Sequence, residues 1–170
     1  SRLVGIRAKK LASIVHGTDR FYRQFSIKKS SGSWREIAAP NIILKECQRW
    51  ILRNVLEKGS LPECIQGFAR NRSIATNARF HTDKPIVLNV DIKDFFPSIG
   101  WDRVFNYFRH LGYSKGVSFY LAKITTLNNV LPQGAPTSPM ISNLVVRHLD
   151  LRLSQLVREH GYTYSRYADD

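Results

Sequence analysis

Apolar residues recur along this chain with two different periods, and each change of period marks an element. Leu44, Cys47, Ile51 and Val55 fall three or four apart, which predicts a helix over about 42–57, after Pro40-Asn41 and closed by Gly59. Val104, Phe105, Phe108 and Leu111 repeat that spacing over 101–111, with Gly112 as terminator. Residues 1–16 and 114–126 also read as helical. The longest pattern starts with Ser138 as a cap and Pro139 in the first turn. Ile141, Leu144, Val145, Leu149, Leu153, Leu156 and Val157 then form a continuous apolar stripe that Gly161 ends.

Elsewhere the pattern is that of strands. "FSIKKSSGSWREI" reads as a hairpin, about 24–38, around Ser30-Ser31-Gly32-Ser33. In "PIVLNVDIKDFF" the apolar run Ile86 to Val90 predicts a central strand buried on both faces and ending at Asp91. "YTYSRYADD" has the aromatic content of a strand running into the paired acids Asp169 and Asp170. Helices mixed with a few separated strands predict an α+β fold. Without repeats or a Pro/Gly-rich linker, one compact unit is expected.

Charge narrows the choice of partner. Lys and Arg number 26 against 13 acids, a net +13, spread among aromatics rather than gathered in one tail. That distribution favours nucleic acid over a membrane surface. No apolar run approaches the ~20 residues that cross a bilayer. The amphipathic start "SRLVGIRAKKLASIV" lacks the apolar core and cleavage site of a signal peptide. With two cysteines, Cys47 and Cys64, a disulfide framework is not expected and the cytoplasm is the default compartment.

The candidate chemistry lies in Asp91, Asp169 and Asp170, each at the end of an expected strand. A sheet joining those ends would cluster three carboxylates, which repel one another unless hard cations such as Mg²⁺ neutralise them. Two such ions about 3.5–4 Å apart support in-line phosphoryl transfer. The competing reading of each acid, and of Asp94 in "DIKD", is ordinary turn or capping chemistry.

"NVDIKDFFPSI", "LPQGAPTSPMISNLV" and "YADD", in that order, resemble three successive palm blocks of the reverse transcriptases. Upstream, "FSIKKSSGSWREIAAP" is similar to the fingers hairpin and "GFARNRSIATNARFH" to the block joining fingers to palm. "LPQGAPTSP" and the Asn77 to His81 pattern "NARFH" most resemble the bacterial retron enzymes, whereas group II intron enzymes more often read "PQGGxxSP".

The resemblance implies a right-hand polymerase's fingers at 1–84, with a linking block at 67–81. It implies an N-terminal palm at 85–170, an antiparallel sheet packed on helices with a helical segment at 101–126. Asp91, Asp169 and Asp170 match the catalytic, metal-binding triad, and the backbone carbonyl of Ile92 a further ligand, for two Mg²⁺ ions with Mn²⁺ as substitute. Phe96 matches the gate against a ribose 2′-hydroxyl; Phe95 and Phe96 are adjacent, and one of them must face the core. Gln133 and Gly134 match the contact to the incoming nucleotide; Lys29, with Lys28 as rival, and Arg35 match the triphosphate clamp. Arg70, Arg72 and Asn143 match template or nucleotide contacts, and His81 receives no chemical role.

The activity implied is addition of dNTPs to a DNA or RNA primer on an RNA template. A noncoding RNA and an effector protein in antiphage defence are the implied partners. Family members continue past the paired acids with a return strand, the rest of the palm and a thumb; this stretch is expected to be a portion truncated after Asp170, with the thumb absent. The alternatives are a catalytically incompetent fragment that binds RNA or duplex, and a group II intron-like or other defence-associated reverse transcriptase.

Overall fold

A computed structural model describes residues 8–28 and 32–170 of the chain. In order, its main elements are α1 (Ala8–His16), β1 (Tyr22–Lys28), β2 (Trp34–Pro40), α2 (Ile42–Asn54), α3 (Ile74–Arg79), α4 (Trp101–His110), α5 (Lys115–Thr125) and α6 (Ser138–Glu159). Helices and one two-stranded antiparallel sheet give the mixed α and β architecture that the patterns predict. The first seven residues of the helix expected over 1–16, and the turn residues Ser30 and Ser31, lie outside the described residues.

Local chemistry sets most boundaries. Asn41 caps α2 by accepting from Leu44 N–H at 3.0 Å, and Ser114 caps α5 through Val117 N–H at 3.3 Å. Gly112 and Gly161, at φ +90° and +77°, terminate α4 and α6 in the left-handed conformation. α3 was not anticipated. It is held by a capping box in which Ser73 and Thr76 exchange side-chain-to-backbone hydrogen bonds. At the start of α6 the cap position falls on Thr137, not Ser138, and neither hydroxyl caps an N–H.

The hairpin pairs Tyr22 with Pro40 through to Lys28 with Trp34. Below it, α1, α2, α4, α5 and the start of α6 enclose one core of Ile14, Leu44, Ile51, Ile99, Phe108 and Ile141.

Two expectations about the palm are corrected. Residues 86–90 form no strand, and Ile86 and Leu88 are 86% and 84% exposed. A strand buried on both faces needs ladder partners for its amides and sheet neighbours for its side chains. Among the described residues no backbone hydrogen bond joins 86–90 to another segment. The segment ahead of the paired acids likewise makes only an isolated parallel bridge, Ile65 with Arg166, so the antiparallel palm sheet is not formed among the described residues. The apolar stripe of α6 is buried only at its start. Leu149 and Leu156 are exposed.

Candidate functional site

The acids at the end of the chain sit on a tight turn. Tyr167 N–H donates to Asp170 C=O at 2.8 Å and Asp170 N–H returns to Tyr167 C=O at 3.2 Å, leaving Ala168 and Asp169 as the two central residues. Ala168 has φ +63°, the positive value a type II′ turn needs at its first central position and one an alanine adopts under strain. Ile92 N–H donates to Asp169 C=O at 2.8 Å, which brings the "DIKD" backbone alongside the turn. Asp91 and Asp170 are exposed and Asp169 is half-buried; none of the three has an ion-pair partner among the described residues.

The backbones therefore meet, but the carboxylates do not converge. Among the described residues no group of three His, Cys, Asp or Glu side chains is gathered closely enough to hold a metal ion. The donor set is nonetheless of the oxygen-only kind that a hard divalent cation takes, and none of the three carboxylates is ion-paired with an Arg or Lys among the described residues. Asp94 behaves as a turn residue, at φ +51° with its carbonyl accepting from Ser98 N–H.

The two phenylalanines after Asp91 divide as expected. Phe95 is buried, and Phe96 is half-buried with its ring centroid 6.0 Å from that of Phe68. The loop bearing Gln133 and Gly134 is fastened to the hairpin, since Ala38 N–H donates to Gln133 C=O at 2.8 Å. Gly134 has φ +118°, and a Cβ there would lie 2.9 Å from the Ala38 carbonyl oxygen. Its close approach is thus to β2, a requirement separate from any nucleotide. Arg35 is exposed on β2 opposite Ile27, Lys28 faces Trp34, and Lys29 lies outside the described residues.

Two of the nucleic-acid contacts are corrected. Asn143 is wholly buried; its amide donates to Gly67 C=O at 2.9 Å and accepts from Arg166 at 3.0 Å. Arg72 turns inward and donates to the carbonyls of Leu61, Pro62 and Ile65, so it braces that loop. Arg70 is exposed and lines a cavity of about 680 Å³ with Phe68, Pro136 and Met140. His81 bonds Ser165 Oγ at 2.8 Å, tying the linking block to the segment ahead of the acids.

The sequence reading missed the group behind the turn. Arg166 donates from Nε and Nη2 to the two carboxylate oxygens of Asp150, at 2.8 and 3.0 Å, and from Nη1 to Ala168 C=O at 2.6 Å. Tyr164 donates to Asp150 at 2.9 Å, and burial first, then the Asp150 charge, pushes its phenol above the ordinary range. One signal was legible: Asn143 and Asp150 stand two turns apart on one face of α6, at the edge of the apolar stripe.

The family profile described as "Reverse transcriptase (RNA-dependent DNA polymerase)" matches residues 27–170. The chain is 38% identical over 172 residues to the retron Ec86 reverse transcriptase of Escherichia coli, covering all of this chain and 54% of that protein. To the retron Mx162 reverse transcriptase of Myxococcus xanthus it is 42% identical over 171 residues, covering 90% of this chain and 35% of the relative. To the retron Se72 reverse transcriptase of Salmonella heidelberg it is 34% identical over 172 residues, covering 100% of this chain and 45% of the relative. The chain thus spans about half the length of these relatives, or less. With the profile running through the hairpin, the Gln133 loop and the paired acids, the chain belongs to the reverse transcriptase family.

Proposed function

We propose that this chain carries the fingers (1–84) and N-terminal palm (85–170) of an RNA-directed DNA polymerase of the retron type. The observation that carries the reading is the hydrogen bond from Ile92 N–H to Asp169 C=O, which joins the two acid-bearing segments across the fold. The family profile over the same residues supports it.

In this reading Asp91, Asp169, Asp170 and the Ile92 carbonyl hold two Mg²⁺ ions, replaceable by Mn²⁺. When bound, such ions activate a primer 3′-hydroxyl and neutralise charge on the departing pyrophosphate. Lys29 and Arg35 neutralise the triphosphate from the hairpin. Phe96 offers a bulky ring under the sugar and so selects dNTPs. Gln133 contacts the nucleotide from a loop whose position β2 fixes. Arg70 meets the RNA template.

By similarity to retron enzymes, a structured noncoding RNA is the template, the product is a DNA–RNA molecule, and the setting is antiphage defence with an effector protein in the bacterial cytoplasm. No described helix is long and apolar enough to cross a membrane.

One observation favours the alternative of a binding-only segment: the three carboxylates are not gathered among the described residues. Primer extension on an RNA template with dNTPs and Mg²⁺ separates the two. Incorporation that Asp91→Ala abolishes supports the polymerase. Template binding without incorporation, in the chain at the length of its relatives, supports the binding module.

A further inference from the structure

We infer that Arg166 is a positioning residue for the Asp169–Asp170 turn, seated in a buried cradle of Asp150 and Asn143, and that this cradle sets how tightly the site takes divalent cations. The inference rests on the proposal that these aspartates hold the cations.

Arg166 is 2% exposed and Asp150 and Asn143 are 0% exposed, so the guanidinium is removed from solvent. Its fork is almost fully used. Asp150 takes two hydrogen bonds, Asn143 Oδ1 a third at 3.0 Å and the Ala168 carbonyl a fourth at 2.6 Å, while the group lies 5.5 Å from the centre of the Phe95 ring. The backbone of Arg166 is locked as well, accepting from Gln66 and Gly67 N–H and donating to Cys64 C=O.

Two groups therefore press on one residue, Ala168, from its two flanking peptides. Arg166 holds the carbonyl of Ala168, and Gly67 packs so close to its amide that a Cβ on Gly67 would sit 2.1 Å from Ala168 N. Asn143 joins them by bonding both Gly67 C=O and Arg166. The Ala168 carbonyl fixes the peptide plane that enters Asp169, and the Asp169 carbonyl receives Ile92 N–H beside Asp91. The cradle thus reaches both acid-bearing segments without contacting a substrate. A buried ion pair is a poor device for stability, because apolar residues of similar volume often serve as well. A planar donor with fixed directions suits the orientation of a peptide, and Lys cannot reproduce four such bonds.

The test compares wild type, Arg166→Lys, Asn143→Ala and Asp91→Asn in the full-length chain. Primer-extension rate is measured against Mg²⁺ concentration, Mn²⁺ binding by electron paramagnetic resonance, and primer–template affinity separately. Groups that orient metal ligands typically change metal affinity by about 10–100-fold when altered. Arg166→Lys is expected to raise the half-saturating Mg²⁺ and the Mn²⁺ Kd within that range, to leave primer–template affinity nearly unchanged, and to regain rate at high Mg²⁺. Asn143→Ala keeps the Asp150 pair and is expected to shift both in the same direction by less. Unaltered metal affinity in both variants, or in Asn143→Ala where Arg166→Lys fails to fold, overturns the inference. If wild type neither extends primers nor loses Mn²⁺ binding through Asp91→Asn, the site reading itself fails instead.

Discussion

Gly67 and Ala168 meet backbone to backbone: a Cβ on Gly67 would lie 2.1 Å from the amide nitrogen of Ala168 and 3.0 Å from its Cα. Neither group is the flexible end of a side chain, so nothing gives way cheaply. Gly67→Ala is expected to displace the turn that carries Asp169 and Asp170. Overpacking of this kind costs about 1–3 kcal/mol, readable as a lowered urea midpoint. Incorporation should fall further than the folded fraction does, because the displaced element carries two of the proposed metal ligands.

Arg70 and Arg72 stand two residues apart and should behave differently. Arg72 donates to three carbonyls of the 61–65 loop, so Arg72→Ala is expected to destabilise by about 1–3 kcal/mol in chemical denaturation. Arg70 is exposed on the 680 Å³ cavity. Arg70→Ala should leave stability unchanged, weaken RNA-template binding, and lower the slope of log Kd against log salt by about one.

Phe96 is half-buried while its neighbour Phe95 is committed to the core. Phe96→Val is therefore expected to fold and to widen the space under the sugar. Removing a steric contact of this size changes discrimination by about 10–200-fold. The ratio of kcat/KM for dNTP over rNTP should fall within that range. An unchanged ratio would move the gate to another side chain.

Alkaline pH should loosen the fold from its core outward. Burial pushes the Cys47 thiol up to about 11 from 9.0, and the Tyr22 phenol up to about 12 from 10.0. Both are raised in the folded state, so the neutral forms favour folding. That stability is complete below about pH 9 and is lost as pH rises through 11 and 12. A Tm profile should show this decline, and Tyr22→Phe should flatten its upper part.

How much of this was legible in the sequence depended on how local the cause was. The helix starts after Pro40-Asn41 and at Ser114, Gly112 and Gly161 as terminators, and the hairpin around Gly32 are each set within a few residues, and each appears near its expected place, whereas the cap expected at Ser138 does not form. Residues 86–90 were misread because an apolar run states only that burial is wanted; the neighbours that would supply it lie far away in sequence. Within the site, the order of the three motifs was readable, as was the division between Phe95 and Phe96. Asn143 and Arg72 went astray because a polar side chain does not reveal whether it faces solvent or a buried carbonyl. Arg166 was invisible for the same reason, since its acceptors come from α6 and from the turn beyond it.

The central claim is that Asp91, Asp169 and Asp170 act together in nucleotide transfer. Its most direct test is single-turnover incorporation of one dNTP on an RNA template by the full-length chain, comparing wild type with Asp91→Asn, Asp169→Asn and Asp170→Asn while primer–template affinity is followed separately. Loss of electrostatic stabilisation at a reacting phosphate costs about a hundred- to a thousand-fold or more in rate. Each variant is expected to lose at least that much with primer–template affinity retained. Incorporation at the wild-type rate in any one of the three would contradict the claim.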